Sequence, residues 1–205
     1  GPGYPLLLMP FVQAACVNAA RYANAFWHAG MLAYAWALLR PYVRMPWRVL
    51  ALLALYFYQP LTSHLPLLYT EVVCCFLLLG FAYHAQRGRR QTLIAGLYLG
   101  LLCLTKVIFG VALRVWGVIL AGLWCYRRAF ALKAQLQITL LAALLCVPYL
   151  TYTYRLTGRW LYWSSAAGNN FYWLTSPYPE ESGDWYHQGW VRNDPILRGT
   201  IAGLE

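Results

Sequence analysis

The arrangement of basic residues between long apolar stretches constrains this chain most strongly. Basic clusters around Arg44, Arg89 and Arg128 interrupt the apolar sequence, and each interval between them has room for two membrane crossings. Basic loops of membrane proteins stay on the cytoplasmic side. Since two crossings per interval return the chain to that side, the pattern predicts an all-α fold, a polytopic transmembrane helix bundle.

The composition agrees with a membrane protein. The 205 residues are 61% hydrophobic and 11% charged, whereas soluble domains are about half apolar and about a quarter charged. The net charge of +10 lies mostly at the ends of apolar stretches. We therefore expect anionic membrane lipids as partners, and no nucleic acid. The cysteines lie inside apolar stretches without metal-ligand spacing, so neither a metal site nor a cofactor is predicted.

The apolar stretches predict the order of the membrane crossings. Residues 4–17 are too short for a full crossing and are expected to form a short re-entrant helix. The six predicted spans are residues 20–39, 47–59, 67–86, 93–104, 107–126 and 138–152. Residues 155–205 are rich in aromatic residues and hold five of the six acidic residues, so an extracytoplasmic segment is expected there. The predicted units are thus a transmembrane module, 1–154, and the segment 155–205, and both ends of the sequence resemble cuts in a longer protein.

Charged residues at the outer ends of spans are candidate functional groups, because leaving a charge in lipid costs free energy. Lys106, Gly110 and Arg114 are spaced by four residues, which on one continuous helix places two cations about 12 Å apart on the same face. Such a face would bind a phosphate or diphosphate headgroup. The alternative is that Lys106 reaches water while Arg114 pairs with Glu71. Glu71 is either a structural partner between helices or a substrate ligand.

Three further arginines, Arg21, Arg155 and Arg159, lie on the predicted outer side, against the general trend. They are candidates for holding an anionic lipid carrier, and equally for ordinary anchoring at the lipid surface. His28 and His84 are isolated in the sequence and are interpreted as structural residues. From the residues alone, the chain is a polytopic membrane protein with an outward-facing basic site.

Several segments, taken in order, resemble motifs of a known enzyme family. They are PGYPLLL at 2–8, ARYANA at 20–25, YTE at 69–71, LLCLTK at 101–106 and YRLTGR at 154–159. Together they resemble the lipid-carrier-dependent membrane glycosyltransferases of the GT-C fold, which include protein mannosyltransferases and the aminoarabinose transferase of lipid A. Each motif is loose, and their order is the more specific feature.

The resemblance implies transfer of a sugar from a polyprenyl-phosphate carrier to a glycan, lipid or protein acceptor, outside a bacterial inner membrane. It implies that Lys106 lies near the carrier phosphate and Glu71 near the active-site cavity, with Tyr4, Arg155 and Arg159 as further candidate substrate-binding residues. The family carries its catalytic Asp in a first outer loop, which would precede Gly1. The chain is therefore expected to be an inactive fragment of an active enzyme.

Two other functions fit parts of the pattern. A flippase or transporter would bind the same carrier without transfer chemistry, but it should show paired repeats and broken helices near the membrane midplane. Neither feature is evident in the sequence. A noncatalytic membrane scaffold would not require Glu71, Lys106 and Arg114 to converge.

Overall fold

The computed structural model of the chain describes residues 2–13, 17–63, 65, 70–127 and 130–163. Every regular element within these ranges is helical, which confirms the predicted all-α class. The α-helices, in chain order, are α1 (Gly3–Gln13), α2 (Val17–Leu39), α3 (Met45–Tyr56), α4 (Gln59–Thr62), α5 (Glu71–Ala85), α6 (Thr92–Thr105), α7 (Val107–Arg127) and α8 (Phe130–Thr157). A short 3-10 helix, Arg89–Gln91, precedes α6.

Proline and glycine account for several helix boundaries. Pro46 and Pro60 lie in the first turns of α3 and α4, where the missing N–H removes no helical hydrogen bond. Gly158 has a φ of +67° directly after α8, and its N–H donates to the Tyr154 carbonyl at 2.8 Å. A left-handed residue at this position closes the last turn of a helix, and glycine adopts it without steric strain.

The predicted boundaries hold for some helices and fail for others. The helices α6 and α7 match the predicted stretches 93–104 and 107–126 closely. In contrast, α8 begins at Phe130 rather than near residue 138, because one lysine, Lys133, does not interrupt a helix when its charged end can reach water. The first helix ends at Gln13, and α4 occupies part of the predicted outer turn.

Helix α6 lies at the centre of the packing, between α5 and α8. Its glycines allow close approach: a Cβ added to Gly96 or Gly100 would lie 2.7 Å from the side chain of Leu141 or Leu145 in α8. Small residues at helix contacts are typical of membrane proteins, where van der Waals packing replaces the hydrophobic effect. On the other side, α2 packs against α5, and α7 lies along α8.

Two helical stretches, Val107–Tyr126 and Leu132–Thr157, are long and apolar enough to cross a membrane. Within the most apolar part of each stretch, only 17% and 22% of the residues are buried. A core helix of a soluble protein would be mostly buried. Helix α3 buries none of its residues and exposes Trp47, Leu50 and Leu53. Outward-facing apolar surface of this extent is typical of contact with lipid. The other predicted spans and the re-entrant role of α1 stay predictions.

The helices run so that the chain has two chemically different ends. Helices α2 and α5 are parallel: Trp27 contacts Phe76 in the first half of each helix, and Tyr34 contacts His84 in the second half. Helix α6 runs back, since Tyr98 packs beside His84 and Leu102 packs beside Val73. We call the end with the start of α5 the acidic end. The opposite end, which carries the turns after α2 and α5, is the basic end.

Candidate functional site

An ion pair between Glu71 and Lys106 forms the centre of the candidate site at the acidic end. The Lys106 ammonium donates to Oε1 of Glu71 at 2.9 Å, and the Thr70 hydroxyl donates to Oε2 at 3.4 Å. Both charged side chains are partly exposed, at 44% for Lys106 and 39% for Glu71. Glu71 is the first residue of α5, where the helix dipole favours a negative charge. It is also the only acidic residue in the sequence before residue 164.

A break between α6 and α7 places Lys106 in this pair. Its backbone is extended, with φ −130° and ψ 121°, and its N–H donates to the Leu102 carbonyl at 3.0 Å. Its own carbonyl accepts from the Phe109 N–H at 3.1 Å and so begins the first turn of α7. The prediction that Lys106, Gly110 and Arg114 share one helix face is therefore wrong, because Lys106 lies before the helix and its side chain extends to α5.

The space expected beside Gly110 is filled by the protein itself. A Cβ added to Gly110 would lie 2.7 Å from the indole ring of Trp163. Trp163 is 4% exposed, and its carbonyl accepts a hydrogen bond from the Tyr149 hydroxyl at 2.7 Å. Gly110 thus allows an aromatic residue that follows α8 to pack on α7, rather than leaving room for a ligand.

The predicted arginines do not join the ion pair. Arg114 is exposed and forms no ion pair with any acid in the described part of the chain. Lys106, not Arg114, is therefore the partner of Glu71. Arg155 and Arg159 are exposed at the end of α8 and in the turn that follows it. No contact joins either of them to Glu71 or Lys106 within the described ranges.

Tyr4, by contrast, lies close to the ion pair. It is 5% exposed and packs against Val73 and Leu102, while the preceding Gly3 lies against Thr105, the residue before Lys106. Asn24 is 1% exposed and donates to the Leu65 carbonyl at 3.2 Å. Sequence reasoning missed Asn24, although an amide within an apolar stretch is a usable signal, because a buried amide needs partners.

The arrangement has the chemistry of an anion site with an attached carboxylate. An ammonium has three N–H donors, and Lys106 directs one of them to Glu71. The other donors are able to bind a phosphate oxygen while the ion pair persists, and the partial exposure of Lys106 gives access. A metal is a weaker fit, because the described residues hold no group of three His, Cys, Asp or Glu side chains able to bind one.

A second polar cluster lies toward the basic end. The Tyr34 hydroxyl is 2.6 Å from the Tyr98 hydroxyl and 3.2 Å from Nε2 of His84. Nδ1 of His84 is 2.7 Å from the Gln91 side-chain oxygen. The sequence suggested that His84 is isolated, but in the structure its ring links α2, α5 and the start of α6.

Comparison of the chain with protein-family models, curated proteins and solved structures gives no match. The resemblance to GT-C glycosyltransferases therefore depends on the ordered motifs alone. Among the residues of those motifs, the structure joins Glu71 to Lys106 and packs Tyr4 against Val73 and Leu102, near the same helix ends.

Proposed function

We propose that this chain is the carrier-binding part of an integral membrane glycosyltransferase. The enzyme moves a sugar from a polyprenyl-phosphate carrier to an acceptor on the extracytoplasmic side. The observation that carries the proposal is the accessible Lys106 ammonium, held at 2.9 Å by Glu71 at the acidic end. Lys106 binds the carrier phosphate, and Glu71 fixes the direction of the lysine side chain.

The charge distribution supports the assignment of sides. The turn after α2 carries Arg40 and Arg44, and the turn after α5 carries Arg87 and Arg90. By the positive-inside rule, these turns are cytoplasmic, so Lys106 at the opposite end is extracytoplasmic. Carriers of activated sugars expose their phosphate at the membrane surface, and a cation at the end of the helices meets it there.

The chemistry of transfer needs such a cation. The bond between the anomeric carbon of the sugar and the phosphate oxygen breaks, and the electron pair remains on the phosphate. An ammonium already in position stabilises this developing charge more than water does, because it needs no reorganisation. A base must also accept the proton of the acceptor hydroxyl. We assign that role to no residue of this chain.

The first experiment measures carrier binding in detergent or nanodiscs. We expect Lys106→Ala to weaken binding of polyprenyl phosphate by about tenfold or more, because a hydrogen bond to a charged group contributes about 1.5–3 kcal/mol. Lys106→Arg should weaken it less, since a cation remains. Arg90→Ala is the matched control, because Arg90 is an exposed cation at the basic end.

Three results would contradict the proposal or redirect it. Equal binding of polyprenol, which has no phosphate, would remove the role of Lys106. Equal losses in the Ala and Arg variants would show that charge is not the important property. Movement of the carrier between the leaflets of proteoliposomes that contain this chain, and its loss in Lys106→Ala, would favour the flippase alternative over the enzyme.

A further inference from the structure

An apolar groove lies between α2 and α5 and is closed at one end by α4 and the end of α3. Its volume is about 480 Å³, and its walls include Met31, Ala35 and Leu39 of α2 and Leu79 of α5. No polar atom contributes to its accessible lining. From Met31 to Leu39 the wall is about 12 Å long, close to the depth of one leaflet, which is about 15 Å.

The groove leads to the basic end. Its wall residue Leu39 is followed directly by Arg40, and Arg44 precedes α3 in the same turn. Both arginines are exposed, and neither forms an ion pair with an acid in the described part of the chain. Glu71, the only acidic residue in the sequence before residue 164, is paired with Lys106 at the acidic end.

The third arginine of this basic cluster lies within α3 and has a different role. The Arg48 guanidinium lies 4.4 Å from the centre of the Trp36 ring and donates to the Val43 carbonyl at 3.3 Å. It stabilises the connection from α2 to α3, so Arg40 and Arg44 remain to meet an external anion. The groove is thus apolar, nearly as long as one leaflet is deep, and followed in the chain by the exposed Arg40 and Arg44. This combination is suited to a phospholipid.

We propose that this groove binds one acyl chain of an acidic glycerophospholipid from the cytoplasmic leaflet, with the lipid phosphate at Arg40 and Arg44. The site rests on membrane insertion as proposed above, but not on sugar transfer. The polyprenyl carrier is a poorer occupant, because its phosphate is assigned to Lys106 at the acidic end. The lipid would cover the apolar surface that α2 and α5 present beside the end of α3.

The test uses the purified chain with phosphatidylglycerol and phosphatidylcholine of identical acyl chains, and native mass spectrometry measures the bound lipid. We expect a clear preference for phosphatidylglycerol. Arg40→Gln and Arg44→Gln should each reduce that preference about fivefold, as expected for loss of one cation near an anionic lipid. Arg90→Gln, at the other basic turn, should leave it unchanged.

A second pair of variants tests the groove itself. Ala35→Phe places a larger side chain in the groove and should abolish retention of the lipid. Ala121→Phe, on the exposed surface of α7, should not affect retention. If Ala35→Phe does not fold, phosphatidylglycerol with a photoreactive acyl chain gives the independent readout. Cross-links should then map to Leu39, Leu78 and Leu79.

The outcomes separate this proposal from the wider one. Release of the chain from membranes by alkaline carbonate would overturn insertion and hence both proposals. An inserted chain that retains both lipids equally, or that cross-links elsewhere, would overturn the lipid site alone. Selective retention of polyprenyl phosphate in this groove would assign it to the carrier and likewise overturn the proposal.

Discussion

Replacing Gly80 with alanine tests the packing between α5 and α6 directly. A Cβ on Gly80 would overlap the ring of Tyr98, so the ring must move. The Tyr98 hydroxyl is held 2.6 Å from the Tyr34 hydroxyl, and the two rings meet edge to face with centroids 5.8 Å apart. The ring therefore has little freedom to give way without losing these contacts.

The expected loss of stability follows from three contributions. Overpacking of a well-filled site costs about 1–3 kcal/mol. Loss of the Tyr34–Tyr98 hydrogen bond costs about 1 kcal/mol. Alanine is a better helix former than glycine by about 1 kcal/mol, which offsets part of this loss. We expect Gly80→Ala to destabilise the protein by about 1–3 kcal/mol.

The control is Gly122→Ala in α7, because nothing lies within 4 Å of a Cβ at that position. We expect it to be neutral or slightly stabilising. The assay is reversible unfolding by sodium dodecyl sulfate, followed by far-ultraviolet circular dichroism. In a Tyr98→Ala background, the loss caused by Gly80→Ala should disappear, since the overlapping ring is absent. An undiminished loss in that background, or equal behaviour of both glycine variants, would refute the reasoning.

Further predictions concern topology, the ion pair and the end of the described chain. A cysteine at Arg44 should react with a membrane-impermeant maleimide only from the cytoplasmic side, and one at Lys106 only from outside; labelling of both from one side would contradict the topology. A double-mutant cycle of Glu71→Gln and Lys106→Gln, measured by sodium dodecyl sulfate unfolding, should give a coupling free energy of about 0.5 kcal/mol, because both side chains are partly exposed. A coupling free energy above about 2 kcal/mol would argue for a buried ion pair. Trp163→Ala should destabilise the protein by about 3 kcal/mol in the same assay, since the Trp163 ring is buried. The control Trp160→Ala should cost less than about 1 kcal/mol, because Trp160 is exposed. Equal losses of stability would contradict the packing of Trp163 on α7.

The helical class, the turn at Lys106 and the bounds of α6 and α7 could be predicted, because they depend on the lengths of apolar stretches. The partner of Lys106 could not. The four-residue spacing placed Lys106 on the face of Gly110 and Arg114, although the predicted spans leave residues 105 and 106 between two helices. The extended backbone at Lys106 instead directs its side chain toward Glu71. Residue spacing alone therefore does not show which way a side chain points when the backbone leaves the helix at that residue.

The covering of Gly110 was beyond prediction for a different reason. Trp163 reaches it from beyond the end of α8, where Gly158 turns the chain. Contacts of this kind depend on how whole helices pack, and the local sequence around Gly110 contains no trace of them. Tyr4 was selected only because its motif resembled a family. Its position beside Val73 and Leu102 follows from the packing of α1 on α2 and α6.

The packing of α6 against α8 has a consequence for how the protein is made. These two helices are separated by α7 in the sequence but pack directly against each other. Gly96 of α6 contacts Leu141 of α8, and Gly100 contacts Leu145. During synthesis, the glycine surface of α6 leaves the ribosome before those leucines exist. In the membrane insertion proposed above, this surface contacts lipid while α7 is translated. A chain that ends after α7 therefore lacks the side chains that cover Gly96 and Gly100, and only α8 completes this packing.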